Sequence, residues 1–423
     1  MTAAESTTGG ADSSGFDVAA IRRDFPILDQ CQGGKRLVFL DSAASSQRPT
    51  QVIEAMSGLY EHSYANVHRG VYQVAERATN AFEGSRRTVA RFIGASDPKE
   101  IIFTKNATEA INLVANSWGR QNLAQGDVVV LSLLEHHANI VPWQMLAAER
   151  GIEIRWIPVH ADGSLDLSTL DRLMDGAKLC AVTAMSNVTG ALTDTEQIVA
   201  AAKSAGALIL IDACQSVPHM PTDVATLGAD FLAFSGHKML GPSGIGVLWG
   251  RQELLEAMPP FLGGGGMILN VTTEGFIPDG LPAKFEAGTP PIAEAVGLGA
   301  AIDYLDNIGM EAIRRHEVEL TAYALRKLTA ELGDSIKIHG PAEPSARGAV
   351  LSIELEDVHA HDISQVLDED AVCIRPGHHC AKPLMRELGV PATARASFYI
   401  YNDNEDVDAL AAALVKARDF FAL

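Results

Sequence analysis

From about residue 100 onward, short apolar runs alternate with stretches whose apolar positions recur every three or four residues. "EIIFTK" precedes "TEAINLVANSWG", "DVVVLSLL" precedes "NIVPWQMLAAERG", and "EIRWIPV" follows. "KLCAVTAM", the helical "TEQIVAAAKSAG", "ALILIDA", "DFLAFS" and "GVLWG" continue the series. Continuously apolar strands are buried on both faces, so their alternation with helices predicts an α/β fold around a mostly parallel, doubly covered sheet. This large unit is placed at residues 35–305.

Beyond "AEAVGLGAAIDYLDNIG" the texture changes. A long charged helix, "MEAIRRHEVELTAYALRKLTAELG", leads to the strand-like "SIKIHG" and "AVLSIELE". A helix near "HDISQVLDED", the strand-like "AVCIRPG" and a closing helix, "EDVDALAAALVKARDFFAL", complete an α+β pattern at residues 306–423. Residues 1–34 open on the small, polar "MTAAESTTGGADSSG", which reads as a flexible tail leading to a segment that packs on the smaller unit. "GGGG" at Gly263–Gly266 reads as a mobile loop.

Length agrees with two units, since 423 residues exceed one ordinary core. Hydrophobic residues at 47% and charged ones at 20% belong to a soluble globular protein. Lys and Arg number 33 against 53 Asp and Glu, and a net charge of −20 repels phosphate backbones, which argues against nucleic acid as a partner. The start lacks the basic and apolar regions of a secretory signal, and no apolar run is long enough to span a membrane. Five widely spaced cysteines, an odd number, fit a reducing cytoplasm better than a disulfide framework.

The candidate chemistry gathers at strand ends. In "ALILIDACQS", Asp212 closes an apolar strand, where side chains of open α/β sheets face the ligand crevice. "DFLAFSGHK" delivers Lys238 to the same edge. In "TKNATEAINL", Asn106 and Glu109 form a capping signature whose helix start offers free N–H groups to an anion. Each has a bland reading: a turn carboxylate, an exposed lysine, a helix start that binds nothing. Together they set an anion site, a carboxylate and an amine on one sheet edge, which suits pyridoxal 5′-phosphate. The helix start takes the phosphate, Asp212 keeps the pyridine nitrogen protonated and Lys238 forms the Schiff base. "LLEHHAN" offers His136 or His137 to stack on the ring. The glycines of "GPSGIG" are wrongly spaced for a dinucleotide loop, and neither a Walker sequence nor the zinc-protease spacing is present.

Through "DACQS", "SGHKMLGPSGIG" and "RPGHHCAKPLM", the chain resembles the class V, fold-type I PLP enzymes. Within them it resembles the group II (SUF-system) cysteine desulfurases, over nearly its whole length. "LDSAASSQRP", "NVHRG", "EHHANIVPWQ", "SNVTG", "FEAGTP" and "RASFYIYN" follow in the family's order. The resemblance implies a seven-stranded large domain, a smaller C-terminal domain bearing the nucleophile, and PLP as cofactor. It implies removal of sulfur from L-cysteine, giving L-alanine and a persulfide on Cys380, for iron–sulfur cluster assembly.

By position, the resemblance assigns Lys238 the Schiff base, Asp212 the pyridinium and Gln215 the phenolic oxygen of the cofactor. His136 stacks on the ring, with His137 as the alternative, and Asn187 lies beside it. Thr108, Ser235 and His237 hold the phosphate. Gly288 and Thr289 approach the phosphate of a second subunit, which implies a homodimer with shared sites. Arg395 pairs with the substrate carboxylate, and Arg375 and His68 line the substrate side. Arg375, His378 and His379 are the local sources of positive charge for a Cys380 thiolate. His361 of "AHD" implies a SufU-type zinc protein as sulfur acceptor, with a metal-free SufE-type protein as the alternative.

Three departures stand out: Pro376, Gly266 and Asp403 replace the residues usual at their positions in the family. Rival readings are a selenocysteine lyase, an aminotransferase, a non-catalytic sulfur-carrier scaffold, and a zinc site on Cys373, His378, His379 and Cys380. No metal is expected.

Overall fold

The computed structural model describes residues 16–422, so the polar stretch read as a tail lies outside the described residues. All seven apolar runs form strands of one sheet: β1 (Ile101–Thr104), β2 (Val128–Ser132), β3 (Glu153–Ile157), β4 (Ala177–Thr183), β5 (Leu208–Asp212), β6 (Phe231–Ser235) and β7 (Gly246–Gly250). The spatial order is β1-β7-β6-β5-β4-β2-β3. Only β7 runs antiparallel to its neighbours β1 and β6; the other pairings are parallel. Six of the seven strands are buried at nearly every position, and one apolar cluster packs on each face. That is the burial their continuous apolar runs require.

The C-terminal part contains a four-stranded antiparallel sheet of β8 (Ile336–His339), β9 (Val350–Leu355), β10 (Arg375–Gly377) and β11 (Thr393–Ser397), in the order β8-β9-β11-β10. Helices Met310–Leu332, Ala360–Asp368 and Asn404–Phe421 pack around its core. Val38 and Leu40 belong to that core, and Val38–Phe39 pairs in parallel with Val372–Cys373. The segment just after residue 34 therefore leans on the C-terminal sheet.

Two of the three sequence departures have a local reason. Asp403 caps the last helix, its side chain accepting from the Asp406 N–H in a reciprocal capping box. Pro376 sits on β10, an edge strand, where a missing N–H is tolerated. The four glycines lead into a small hairpin, Ile268–Val271 with Phe276–Pro278, that the sequence pattern does not announce. Among the described residues, no helix is long and apolar enough to cross a membrane.

Candidate functional site

The ends of β4, β5 and β6, and the segments following β1 and β2, line one cavity of about 340 Å³. β5 and β4 end side by side, Asp212 opposite Thr183, so Asp212 enters at the middle of the sheet. Its carboxylate is buried, and Oδ1 accepts from the Cys214 N–H at 3.0 Å. β6 ends at Ser235, and a tight turn, Gly236–Lys238, swings Lys238 to the cavity. Three serine contacts hold that turn: the His237 carbonyl accepts from the Ser46 N–H at 3.0 Å, and from the Ser45 and Ser46 hydroxyls at 3.2 Å. Among the described residues, the Lys238 ammonium makes no hydrogen bond or ion pair.

The helix after β1, α1 (Ala107–Val114), starts at the same edge. Asn106 caps it, accepting from the Glu109 N–H at 3.0 Å, while the Glu109 carboxylate reaches back to the Lys105 N–H at 2.6 Å. The predicted signature forms, with Glu109 reaching one residue further than in the usual box. Ser235 Oγ accepts from the Ala107 N–H at 2.9 Å, tying the helix start to β6. Thr108, Ser235 and His237 all line the cavity.

Gln215 donates to the Ala43 carbonyl at 2.8 Å, but its buried Oε1 has no partner. A buried acceptor without a donor is costly, so this oxygen is prepared for a group of a ligand. A free amine, a buried carboxylate and an unpartnered amide oxygen around one cavity fit pyridoxal phosphate. The chain's own residues satisfy none of the three fully.

The two neighbouring histidines separate. His136 lines the cavity, whereas His137 faces the C-terminal loop, accepting at Nε2 from the Lys382 N–H at 3.1 Å. His136 Nδ1 accepts from the Ala138 N–H at 3.0 Å, which leaves the proton of the neutral ring on Nε2. Burial, and then the charge of Lys238, push His136 down to about 4, and the same causes push His237 down to about 4. Both rings are neutral near pH 7.

Cys380 reaches the cavity from the C-terminal part. It is exposed on the loop after β10, and both His379 and Cys380 adopt positive φ, at 49° and 54°. Two successive non-glycine residues there are strained, so the surroundings must hold them. Asn187 does so by donating to the His379 carbonyl at 2.8 Å, and the His137 N–H by donating to the Cys380 carbonyl at 2.7 Å. Arg375 and Arg395 line the same wall.

Two expectations need correction. His379 is no source of positive charge for Cys380, because burial and then Arg395 push it down to about 3, and its Nε2 lies 2.9 Å from the Thr393 hydroxyl. Within one chain, His68 does not line the substrate side. It sits in an exposed loop and pairs with Glu83 at 3.0 Å. It flanks a second cavity of about 560 Å³, which Gly288 and Thr289 also line. The zinc alternative finds no cluster: among the described residues, no three His, Cys, Asp or Glu side chains could hold a metal ion. His361 lies outside the cavity, exposed at the start of its helix, with its ring stacked on His359 at 5.4 Å. Cys180 and Cys214 are buried, and their thiols are pushed up by burial.

One residue was missed, and one takes a role other than the one expected. Asp41 receives three hydrogen bonds from Arg375, and His137 holds the cysteine loop. Asp41 lies in a quoted motif with no local pattern to mark it, whereas His137 was marked only as the alternative to stack on the ring.

The family model for class-V aminotransferases matches residues 38–410. The chain belongs to the class-V aminotransferase family. A probable cysteine desulfurase from Streptomyces coelicolor is 52% identical over 412 residues, covering 96% of this chain and 98% of that one. A solved apo cysteine desulfurase from Thermococcus onnurineus NA1 superimposes with a TM-score of 0.90 at 39% identity, covering 96% of this chain and 98% of that one. A cysteine desulfurase from Escherichia coli, solved in an S-sulfonic acid form, gives 0.87 at 38% identity, with 96% and 99% covered.

Proposed function

We propose that this chain is a pyridoxal-phosphate-dependent cysteine desulfurase. The observation that carries the reading is the convergence of Lys238, Asp212 and Cys380 on one cavity from three separate elements. When bound, pyridoxal phosphate supplies an electron sink that labilises bonds at the substrate α-carbon. Lys238 would hold the cofactor's aldehyde carbon, Asp212 would keep the pyridine nitrogen protonated, and the Gln215 amide would contact the phenolic oxygen. Thr108, Ser235 and His237 hold the phosphate beside the start of α1, and Asn187 and the neutral His136 flank the ring.

Arg395 binds the substrate carboxylate. Its Nη1 is spent on the Asn187 carbonyl at 2.8 Å, while its buried Nε has no partner and is free for a bidentate contact. Substrate sulfur then faces Cys380. The Cys380 thiolate attacks that sulfur, an S–S bond forms as the C–S bond breaks, and the bonding pair stays on the carbon, which takes up the proton given up by the Cys380 thiol to become alanine's methyl group. Arg375 lines the same cavity as Cys380 and is held there by Asp41.

His68, Gly288 and Thr289 flank a separate cavity, which supports a homodimer in which they complete the second subunit's site. His361, exposed at a helix start, supports sulfur delivery to a SufU-type zinc protein, placing the enzyme in SUF-type cluster assembly. Five free cysteines support a cytoplasmic setting.

The test is alanine and persulfide formation from L-cysteine by the protein loaded with pyridoxal phosphate, with L-selenocysteine in parallel. Lys238→Ala should lose both products and the visible absorbance of the lysine-bound cofactor. Comparable alanine release by that variant would sink the reading.

A further inference from the structure

Arg375 and Arg395 are direct partners across β10 and β11, an arrangement that sets two guanidinium groups on neighbouring positions. Like charges directly opposite on paired strands repel. Asp41 lies on the next segment, bridged to Ser397, two residues beyond Arg395. It does not divide itself evenly between the two arginines. Arg375 donates to it three times, at 3.1, 3.2 and 2.7 Å, from Nε and Nη2. Arg395 makes one long contact at 3.4 Å and keeps its Nε unpartnered.

We propose that Asp41 determines substrate specificity by occupying Arg375, so that only Arg395 remains to receive an anionic group. The proposal rests on the reading above, in which the substrate carboxylate lies on Arg395 and its side chain points toward Cys380. Arg375 is beside Cys380, so an acidic side chain in place of the thiol would arrive at that guanidinium. There it meets a bidentate carboxylate that is already part of the chain and has no translational entropy to lose. Asp41, with a side chain 16% exposed, thereby keeps the combined charge of the three groups at one positive unit, matched to one carboxylate. Asp41 acts through Arg375 and is a positioning residue.

The experiment titrates the protein loaded with pyridoxal phosphate with L-aspartate and with L-serine, following the visible spectrum. These are an acidic and a neutral amino acid of similar size. The native protein should bind L-serine better. Asp41→Asn and Asp41→Ser should each shift the ratio of dissociation constants at least tenfold toward L-aspartate, and Asp41→Glu should keep the native ratio. Adding Arg375→Gln to Asp41→Asn should erase the gain. An equal change for both ligands, a gain that survives Arg375→Gln, or a gain in Asp41→Glu would overturn the proposal. Loss of the visible band in both neutral variants would overturn it too, by showing that Asp41 holds the fold. Failure of the native protein to respond to L-cysteine would instead sink the desulfurase reading itself.

Discussion

The backbone N–H of His137 donates to the carbonyl of Cys380 at 2.7 Å, while the His137 ring accepts from the Lys382 N–H at 3.1 Å. One residue at the large sheet's edge thus grips the nucleophile loop at its cysteine and two residues beyond it, while Asn187 holds the His379 carbonyl before it. The loop needs that grip because two residues in it hold positive φ.

His137→Ala keeps the backbone bond and loses the ring's. A neutral hydrogen bond contributes about 1 kcal/mol, so persulfide formation should slow about fivefold. Cofactor affinity should stay unchanged, because the ring faces the loop and not the cavity. Single-turnover persulfide formation beside a cofactor titration checks both halves. An equal loss in cofactor affinity contradicts the placement.

Cys380→Ser should retain the visible absorbance of bound cofactor and its spectral response to L-cysteine, yet form no persulfide. The residues around the ring come from α1 and the ends of the parallel strands, and none of them needs the loop's sulfur. Mass spectrometry of the native protein after L-cysteine should place the extra sulfur on Cys380. Finding it on Cys373 or Cys214 instead defeats the assignment.

His361→Ala should leave desulfuration without an acceptor intact and remove stimulation by a zinc-containing acceptor. Neutral imidazole is a good zinc ligand, and this ring is exposed and outside the cavity. Stimulation assays with a zinc acceptor and a metal-free one decide it. Undiminished stimulation by the zinc protein points to the metal-free class.

The buried His379 has a folded pKa of about 3, below its ordinary value of about 6.5. As pH falls from about 6.5 toward 3, the unfolded chain takes up a proton that the folded chain refuses, so stability is lost in that window. His379→Asn should flatten the fall, giving a smaller drop in urea midpoint between pH 7 and pH 5 than the native protein shows. An identical drop in both would mean that His379 is not a source of the acid sensitivity.

The seven strands, the α1 cap and the functional candidates Asp212, Lys238 and Cys380 were legible along the chain. Their signals are local: an apolar run long enough to be buried, a side chain within reach of its own helix start, a polar residue at a strand's end. The pairing of Arg375 with Arg395 carries no such signal, because twenty residues and a reversal of direction separate them until β10 and β11 align. Asp41 becomes their shared carboxylate only when the N-terminal segment crosses to the C-terminal sheet. The choice between His136 and His137 was likewise open, since adjacent side chains look alike in sequence. Tertiary structure decided it by turning one ring to the cavity and the other to the cysteine loop. It also separated His68 from the substrate side, where the resemblance had put it. Local chemistry selects which residues can act, but pairings between distant segments select which of them meet.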